Sequence, residues 1–219
     1  MPRLLFEKKG NAVWISHLDL MRLFQRAFKR AGLPLKHTQG FNPKPSVAIA
    51  LPLSVGIESN CELLDFDLDI DFNQWDLLPD MLNSVLVEGV RVRKAYLDGK
   101  KIRDLSFMRS LLIMEYDNGI PKGAGTEIST LLNRPELKVI KKTKNGPQEQ
   151  DIIPLIRSFT IREGEKDTLE LEVLHRCQNP TLNPMQISAA IAEHLPEYLP
   201  NYSKCCRIEI YDNDEEIFR

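Results

Sequence analysis

The sequence predicts an α+β protein in which the element order β-α-β-β-α-β occurs twice along 219 residues. Segments with the alternating hydrophobicity of half-buried strands are separated by segments with helical periodicity, in the same order in each half. The polar stretch DGKKIRD lies between the halves. We therefore expect one domain at residues 1–100 and a second at residues 106–219.

The first half contains six predicted elements. Strands are predicted at 3–8, 45–53, 61–70 and 90–97, and helices at 17–31 and within 73–86. The first strand is followed by a predicted turn at 9–11, and residues 12–15 are expected to continue in an extended conformation. Ser16 is a favourable N-cap with Asp19 three residues later, a variant of the capping box, and Gly32 ends the helix.

The second half repeats this order with additional strands. Strands are predicted at 110–116, 137–143, 149–156, 158–163, 168–174 and 206–212, and helices at 126–133 and 183–195. The second and third strands form a predicted hairpin around Lys144, Asn145 and Gly146. Because β-α-β-β-α-β is the ferredoxin-like order, the predicted fold class is two tandem ferredoxin-like domains, the second with extra extended structure. The tail DNDEEIFR is expected to be solvated.

Composition excludes several classes of protein. The chain has no apolar run of membrane-spanning length and no signal-peptide core near its start, so a cytoplasmic protein without membrane contact is expected. The four cysteines form no CxxC pair and are expected to be free thiols. Phosphate-loop, dinucleotide, zinc-protease and hydrolase motifs do not occur, so we expect no metal and no cofactor.

Charge is distributed unevenly, although the net charge is only −2. Residues 1–45 contain nine lysines and arginines against two acids, whereas residues 57–80 contain eight acids and no base. Such asymmetry indicates either a face that binds a polyanion or two solvated faces of different character.

Three arginines form a line on the first predicted helix. Residues 20, 24, 27, 28 and 31 form its apolar stripe, and Arg22, Arg26 and Arg30 lie on a second stripe, about 6 Å apart. Guanidinium groups bind phosphate through two parallel hydrogen bonds. The alternative is a solvated face on which Asp19 pairs with Arg22 or Arg26.

The segment TQGFNPKPS, at residues 38–46, follows this helix. Its glycine and two prolines restrict the backbone, so Phe41 is positioned to stack on a base and Asn42 to bond a base edge. In the alternative interpretation, Phe41 fills the core and Asn42 caps a turn. The predicted RNA-binding residues are Arg22, Arg26, Arg30, Lys36, Thr38, Phe41, Asn42 and Lys44.

A catalytic role is the second possibility. RNA cleavage without a metal needs a general acid and base, which His17 provides, with Asp19 or Glu58 as helper. The alternative is a structural histidine and a solvated carboxylate at a strand end.

Several of these motifs occur together in one known family. FEKKG, SHLDLMR, RAGLPL, TQGFNPKP and PLSVGIES, in this order, and Asp151 resemble the bacterial radical SAM-linked protein family. Lys44 departs from that family's pattern, in which histidine is more common at this position. The resemblance implies a protein fused to, or encoded beside, a radical SAM protein, near ribonuclease E/G and ribosomal protein genes.

Three functions follow from the residues and the resemblance. The leading hypothesis is an RNA-binding accessory protein that presents tRNA or rRNA to a radical SAM partner and has no catalytic activity of its own. The alternatives are a metal-independent RNA-processing or RNA-modifying enzyme that uses His17, and a protein-interaction subunit of a radical SAM enzyme that does not contact RNA.

Overall fold

The computed structural model describes residues 1–143 and 146–219 and divides the chain into two compact units. Unit 1 comprises Met1–Asp104 and Ile217–Arg219, and unit 2 comprises Leu105–Glu216. The expected mixture of α and β structure is confirmed, because four α-helices accompany a core made mainly of sheet in these described residues.

Unit 1 follows the predicted order of elements. Its elements are β1 (Arg3–Lys8), α1 (His17–Arg30), β2 (Val47–Ala50), β3 (Glu58–Phe66), α2 (Leu78–Asn83) and β4 (Val90–Tyr96). The sheet has the strand order β4-β1-β3-β2, and each pair of neighbours is antiparallel.

The core of unit 1 lies between α1 and this sheet. Leu20, Phe24, Ala27 and Phe28 of the predicted apolar stripe are buried, whereas Ala31 is only half-buried. The ring centroid of Phe24 lies 4.7 Å from that of Phe6 on β1. The ring of Phe28 lies 4.9 Å from that of Phe66 on β3. Full burial of a phenylalanine stabilises a fold by about 1.5–3 kcal/mol, so these rings hold one face of α1 on the sheet.

The prediction that residues 12–15 are extended is wrong. Gly10–Trp14 forms a 3₁₀ helix, in which the backbone N–H of Ala12 donates to the carbonyl of Lys9 at 3.1 Å. Gly89 packs against this turn so closely that an added Cβ would lie 2.4 Å from the Lys9 carbonyl oxygen. A tertiary contact therefore selects the tight turn over the strand conformation.

Strand β2 is shorter than the predicted strand at 45–53, and α2 lies within the predicted range of 73–86. After β2, Leu51 has a φ of 47°, in the left-handed region, and this residue ends the strand before Pro52. At the end of α2, the side-chain amide of Asn83 makes hydrogen bonds of 2.9 and 2.8 Å with the backbone carbonyl and N–H of Val92. This side chain therefore pairs with β4 where the helix ends.

The prediction that the whole tail is solvated is also wrong. Phe218 is fully buried within unit 1, and the guanidinium of Arg3 lies over its ring at 5.3 Å from the centroid. The backbone N–H of Lys100 donates to the carbonyl of Arg219 at 2.7 Å. The acidic tail therefore ends in a buried phenylalanine, and the composition of the tail does not predict this burial.

Unit 2 also contains the predicted elements, although Ile153–Leu155 of the predicted strand at 149–156 forms a 3₁₀ helix. They are β5 (Leu105–Glu115), α3 (Ala124–Leu132), β6 (Lys138–Thr143), β7 (Gly146–Asp151), β8 (Ile156–Glu163), β9 (Thr168–Arg176), α4 (Met185–His194) and β10 (Tyr202–Asp212). The order β10-β5-β9-β8 is antiparallel throughout, and β6 and β7 pair separately as a hairpin. In its predicted turn, Lys144 and Asn145 lie outside the described residues.

We predict that the buried ion pair of unit 1 controls its stability. Arg3 is 2% exposed and makes two hydrogen bonds with Asp65, of 2.6 and 3.0 Å. Asp65→Asn should lower the free energy of unfolding by about 3–5 kcal/mol, because it leaves a buried guanidinium without its counter-charge. The measurement is chemical denaturation.

Glu7→Gln is the matched control for this prediction. It removes the carboxylate partner of Arg93, whose side chain is 50% exposed, so water can solvate the freed cation. Its cost should stay within about 1 kcal/mol. Equal losses in the two variants would contradict a special role for the Arg3–Asp65 pair.

Candidate functional site

The N-terminus of α1 carries a chain of hydrogen bonds that involves two of the predicted site residues. The Ser16 hydroxyl accepts from the backbone N–H of Asp19 at 3.2 Å and donates to its carboxylate at 2.8 Å. The same carboxylate accepts from Arg22 at 3.0 Å. The hydrogen bond from Ser16 and, to a smaller extent, that from Arg22 lower the pKa of Asp19 below its ordinary value. The capping prediction for Ser16 is confirmed, and Asp19 pairs with Arg22.

The three predicted arginines line one groove. This arginine groove has a volume of about 480 Å³, and its other lining residues are Ile15, Asp19, Leu23 and Val87. Arg30 is held at one end because its guanidinium donates to the carbonyl of Val85. Arg26 is exposed and makes no side-chain hydrogen bond or ion pair within the described residues. The groove therefore combines three guanidinium groups with one carboxylate on an apolar floor.

The segment from Lys36 to Ser46 forms a loop that is closed at its base. His37 and Pro45 form an antiparallel bridge, and the backbone N–H of Thr38 donates to the Lys44 carbonyl at 2.8 Å. The Lys44 backbone N–H donates to the Thr38 hydroxyl at 3.1 Å. Thr38, a predicted RNA contact, thus has a structural partner within the loop.

The tip of this loop points into solvent. Phe41 has a relative exposure of 112%, so the interpretation that it fills the core is wrong. Asn42 is exposed and, among the described residues, makes no side-chain hydrogen bond that would cap a turn. Lys36 and Lys44 are also exposed. The loop thus presents an aromatic ring, an amide and two ammonium groups outside the arginine groove.

A second cavity, of about 630 Å³, lies between α1 and the base of this loop. Its walls are mostly apolar and include Leu33, Pro34, Leu35 and Pro45. Its polar lining consists of Gln25, Arg26, Lys29 and His37. Sequence reasoning missed this loop pocket, although Gln25 and Lys29 occur at i, i+4 spacing beside the arginine stripe.

The proposed catalytic residues are not assembled with one another. Glu58 accepts a hydrogen bond of 3.1 Å from the backbone N–H of Gly10, and the Asp19 carboxylate is bound to Ser16 and Arg22. His17 is half-buried and makes no side-chain hydrogen bond within the described part of the chain. Neither carboxylate orients His17, so this arrangement lacks a base with a positioned helper.

Unit 2 contains a buried histidine that sequence reasoning also missed. Nδ1 of His175 donates to the Arg176 carbonyl at 3.1 Å, which leaves Nε2 to accept from the Ser110 hydroxyl at 2.9 Å. Burial, opposed by the hydrogen bond to the Arg176 carbonyl and aided by the charge of Arg207, lowers the pKa of His175 to about 4. The sequence signal was its position, because His175 follows Leu171 and Val173 at i, i+2, i+4 spacing and so shares the buried face of β9 with them.

This pair resembles an activated serine nucleophile only in its bonding. Ser110 is 1% exposed and His175 is fully buried, so neither reaches a substrate from solvent. We therefore assign the pair to the structure of unit 2.

No group of three metal-binding side chains occurs among the described residues. All four cysteines, which lie within these residues, are free thiols. Burial raises the pKa of both Cys177 and Cys205 to about 12, so these two thiols remain protonated at neutral pH. No α-helix in the described part of the chain is both long and apolar enough to cross a membrane.

Together these features define a protein of two α/β units with an arginine groove and an exposed aromatic loop in unit 1. The chain belongs to the bacterial family described as "Uncharacterized protein conserved in bacteria (DUF2344)", which matches residues 2–199. Comparison with curated proteins gives no match.

The solved structures that match the chain include the following two. One is described as a crystal structure of a Cbf5-Nop10-Gar1 complex, with 8% identity and a TM-score of 0.54 over 98% of this chain and 50% of that chain. This chain thus spans about half the length of that one, and at this identity the likeness concerns the fold alone. The other, proposed to be a glycine cleavage system transcriptional repressor, has 10% identity over 97% of each chain, but its TM-score of 0.25 is too low to indicate a shared fold.

We predict that acid destabilises unit 2 through His175. An unfolded histidine takes up a proton near pH 6.5, whereas folded His175 does so only near pH 4. As the pH falls from the first value to the second, the unfolded state binds more protons, and the free energy of unfolding should fall by up to about 1.4 kcal/mol per pH unit. Urea denaturation across this range measures the slope.

His175→Gln should remove this contribution, because glutamine does not titrate and retains a group that can bond Ser110. His194→Gln, at an exposed histidine of α4, is the control and should keep the slope of the unsubstituted protein. If His175→Gln retains the full slope, the assignment of acid sensitivity to this residue is wrong.

Proposed function

We propose that this protein is an RNA-binding accessory protein whose arginine groove and exposed loop bind tRNA or rRNA. The observation that carries the proposal is the arrangement of Arg22, Arg26 and Arg30 along one groove. Three guanidinium groups on successive turns of a rigid helix suit a chain of phosphates, since each can form a charge-assisted, bidentate hydrogen bond.

The exposed loop supports RNA over a polyanion without bases. A fully exposed phenylalanine offers both faces of its ring, and base–aromatic stacking is the usual means of holding unpaired nucleotides. Asn42 places an amide donor and acceptor next to this ring. Lys36 and Lys44 add positive charge at the base of the loop.

We also propose that the protein presents RNA to a radical SAM partner. The proposal of a radical SAM partner rests on the motif resemblance alone, and no contact among the described residues supports it. The hydrogen bonds of Asp19 and Glu58 favour binding over catalysis, because both carboxylates bond structural partners and neither orients His17. The protein-interaction alternative predicts a protein complex that survives nuclease treatment in the absence of any RNA affinity.

For the fold, we propose that each unit is ferredoxin-like. The support is the strand order, β4-β1-β3-β2 in unit 1 and β10-β5-β9-β8 in unit 2, with antiparallel neighbours and two intervening helices. The β6–β7 hairpin then corresponds to an insertion between the first helix and the second sheet strand of unit 2. The fold positions the groove, but a fold of this kind hosts many unrelated activities and does not by itself indicate one.

RNA binding should depend on salt through the arginine groove. If about four phosphates are neutralised, affinity for purified tRNA or rRNA fragments should fall roughly a hundredfold between 50 and 200 mM salt. The Arg22→Ala, Arg26→Ala, Arg30→Ala triple variant removes three of these contacts, so its affinity should fall only about fourfold over the same range. Fluorescence anisotropy measures both slopes.

The matched control removes three exposed cations of unit 1 that lie outside the groove: Arg91, Lys94 and Lys101, each replaced by alanine. Its salt dependence should be nearly that of the unsubstituted protein. Equal losses in the two triple variants would show that net charge, not the groove, determines binding, and would overturn the proposal.

A gain of affinity should result from Asp19→Asn. This change removes the negative charge that pairs with Arg22 in the groove, so the guanidinium becomes available for phosphate. We expect RNA affinity at 50 mM salt to rise by about two- to fivefold, with a smaller rise at 200 mM. The amide can still accept from the Ser16 hydroxyl, so helicity by circular dichroism should not change. Unchanged affinity would indicate that RNA does not contact Arg22.

A further inference from the structure

The loop pocket has no role in the phosphate contacts proposed above. It shares only Arg26 with the arginine groove, so one guanidinium stands between the two cavities. His37 and Pro45, which form the bridge at the base of the loop that carries Phe41, both line the pocket. The pocket therefore adjoins both parts of the proposed RNA site.

The lining of the pocket defines the chemistry of its ligand. Its volume of about 630 Å³ is within the range of about 300–1,000 Å³ found for small-ligand sites. Leu33, Leu35 and the two prolines form apolar walls, which suit a flat ring. Arg26 and Lys29 add positive charge to the lining, which suits an anion, while the amide of Gln25 can both donate and accept hydrogen bonds.

We infer that the loop pocket receives the base of one unpaired nucleotide of the bound RNA. The apolar walls hold the heterocycle, Gln25 bonds its edge, and Arg26 binds the attached phosphate, from which the strand continues along the arginine groove. Phe41, on the same loop, offers a stacking face to a neighbouring base. This inference rests on the proposed function and deepens it, because it assigns recognition of a splayed-out base to unit 1.

The inference is tested with two RNA probes that have the same phosphates. One is an oligoadenylate about eight nucleotides long, a length typical of single-strand sites, and the other is its abasic counterpart. Stacking and base contacts should make the oligoadenylate bind about tenfold more tightly. Both probes should show the same dependence on salt, because their charges are equal.

Two substitutions of Gln25 separate filling of the pocket from loss of its amide. Gln25→Phe fills the pocket without changing charge and should bring oligoadenylate affinity close to that of the abasic probe, with stacking on Phe41 as the remaining difference. Gln25→Leu keeps the size of the side chain and should reduce the preference among adenylate, cytidylate and uridylate oligomers. Gln74→Phe, at an exposed glutamine of unit 1 outside the pocket, is the control and should leave both affinities unchanged.

The outcomes distinguish this inference from the proposed function. Salt-dependent binding that is equal for the two probes would overturn the inference and leave RNA binding intact. Absence of binding to either probe, and to tRNA and rRNA, would overturn both. Adenosine monophosphate that binds more tightly than the oligomer, and loses affinity in Gln25→Phe, would assign the pocket to a free nucleotide and overturn its assignment to RNA.

Discussion

Phe24 and Phe28 anchor α1 to the sheet of unit 1 through ring contacts with Phe6 and Phe66. These contacts fix the rotation of the helix about its own axis, since turning the helix would bring polar side chains into the core at a cost of several kcal/mol. The arginines and Gln25 are therefore presented in set directions. The arginine groove and the loop pocket are both consequences of this one packing arrangement.

The loop after α1 shows how unit 1 keeps an aromatic side chain in water. Burial of a phenylalanine is favourable by about 1.5–3 kcal/mol, and Phe41 forgoes this contribution. The bonds between Thr38 and Lys44 close the loop below it. Because the base of the loop is already ordered, a ligand that stacks on Phe41 loses little additional conformational entropy on binding.

The sequence predicts the order of elements well, because strand and helix periodicities are local properties. The cap at Ser16 and the arginine stripe follow from spacing within one helix, and the structure has both. The 3₁₀ turn at residues 10–14, the burial of Phe218 and the Ser110–His175 pair depend on residues distant in the chain. No local pattern specifies such contacts, so they were predicted wrongly or missed. The loop pocket belongs to the same category, because its walls come from α1, the segment that follows it, and Pro45.

The burial of Phe218 has a consequence for how the chain folds during synthesis. Unit 1 is built from a long N-terminal segment and three residues that lie after all of unit 2 in the sequence. The ribosome makes protein at about 5–20 residues per second, and domains generally fold in the order in which they emerge. The strands and helices of unit 1 emerge early, but the ring that covers the Arg3 guanidinium arrives only after unit 2 has been made. The first unit to begin folding is therefore completed last.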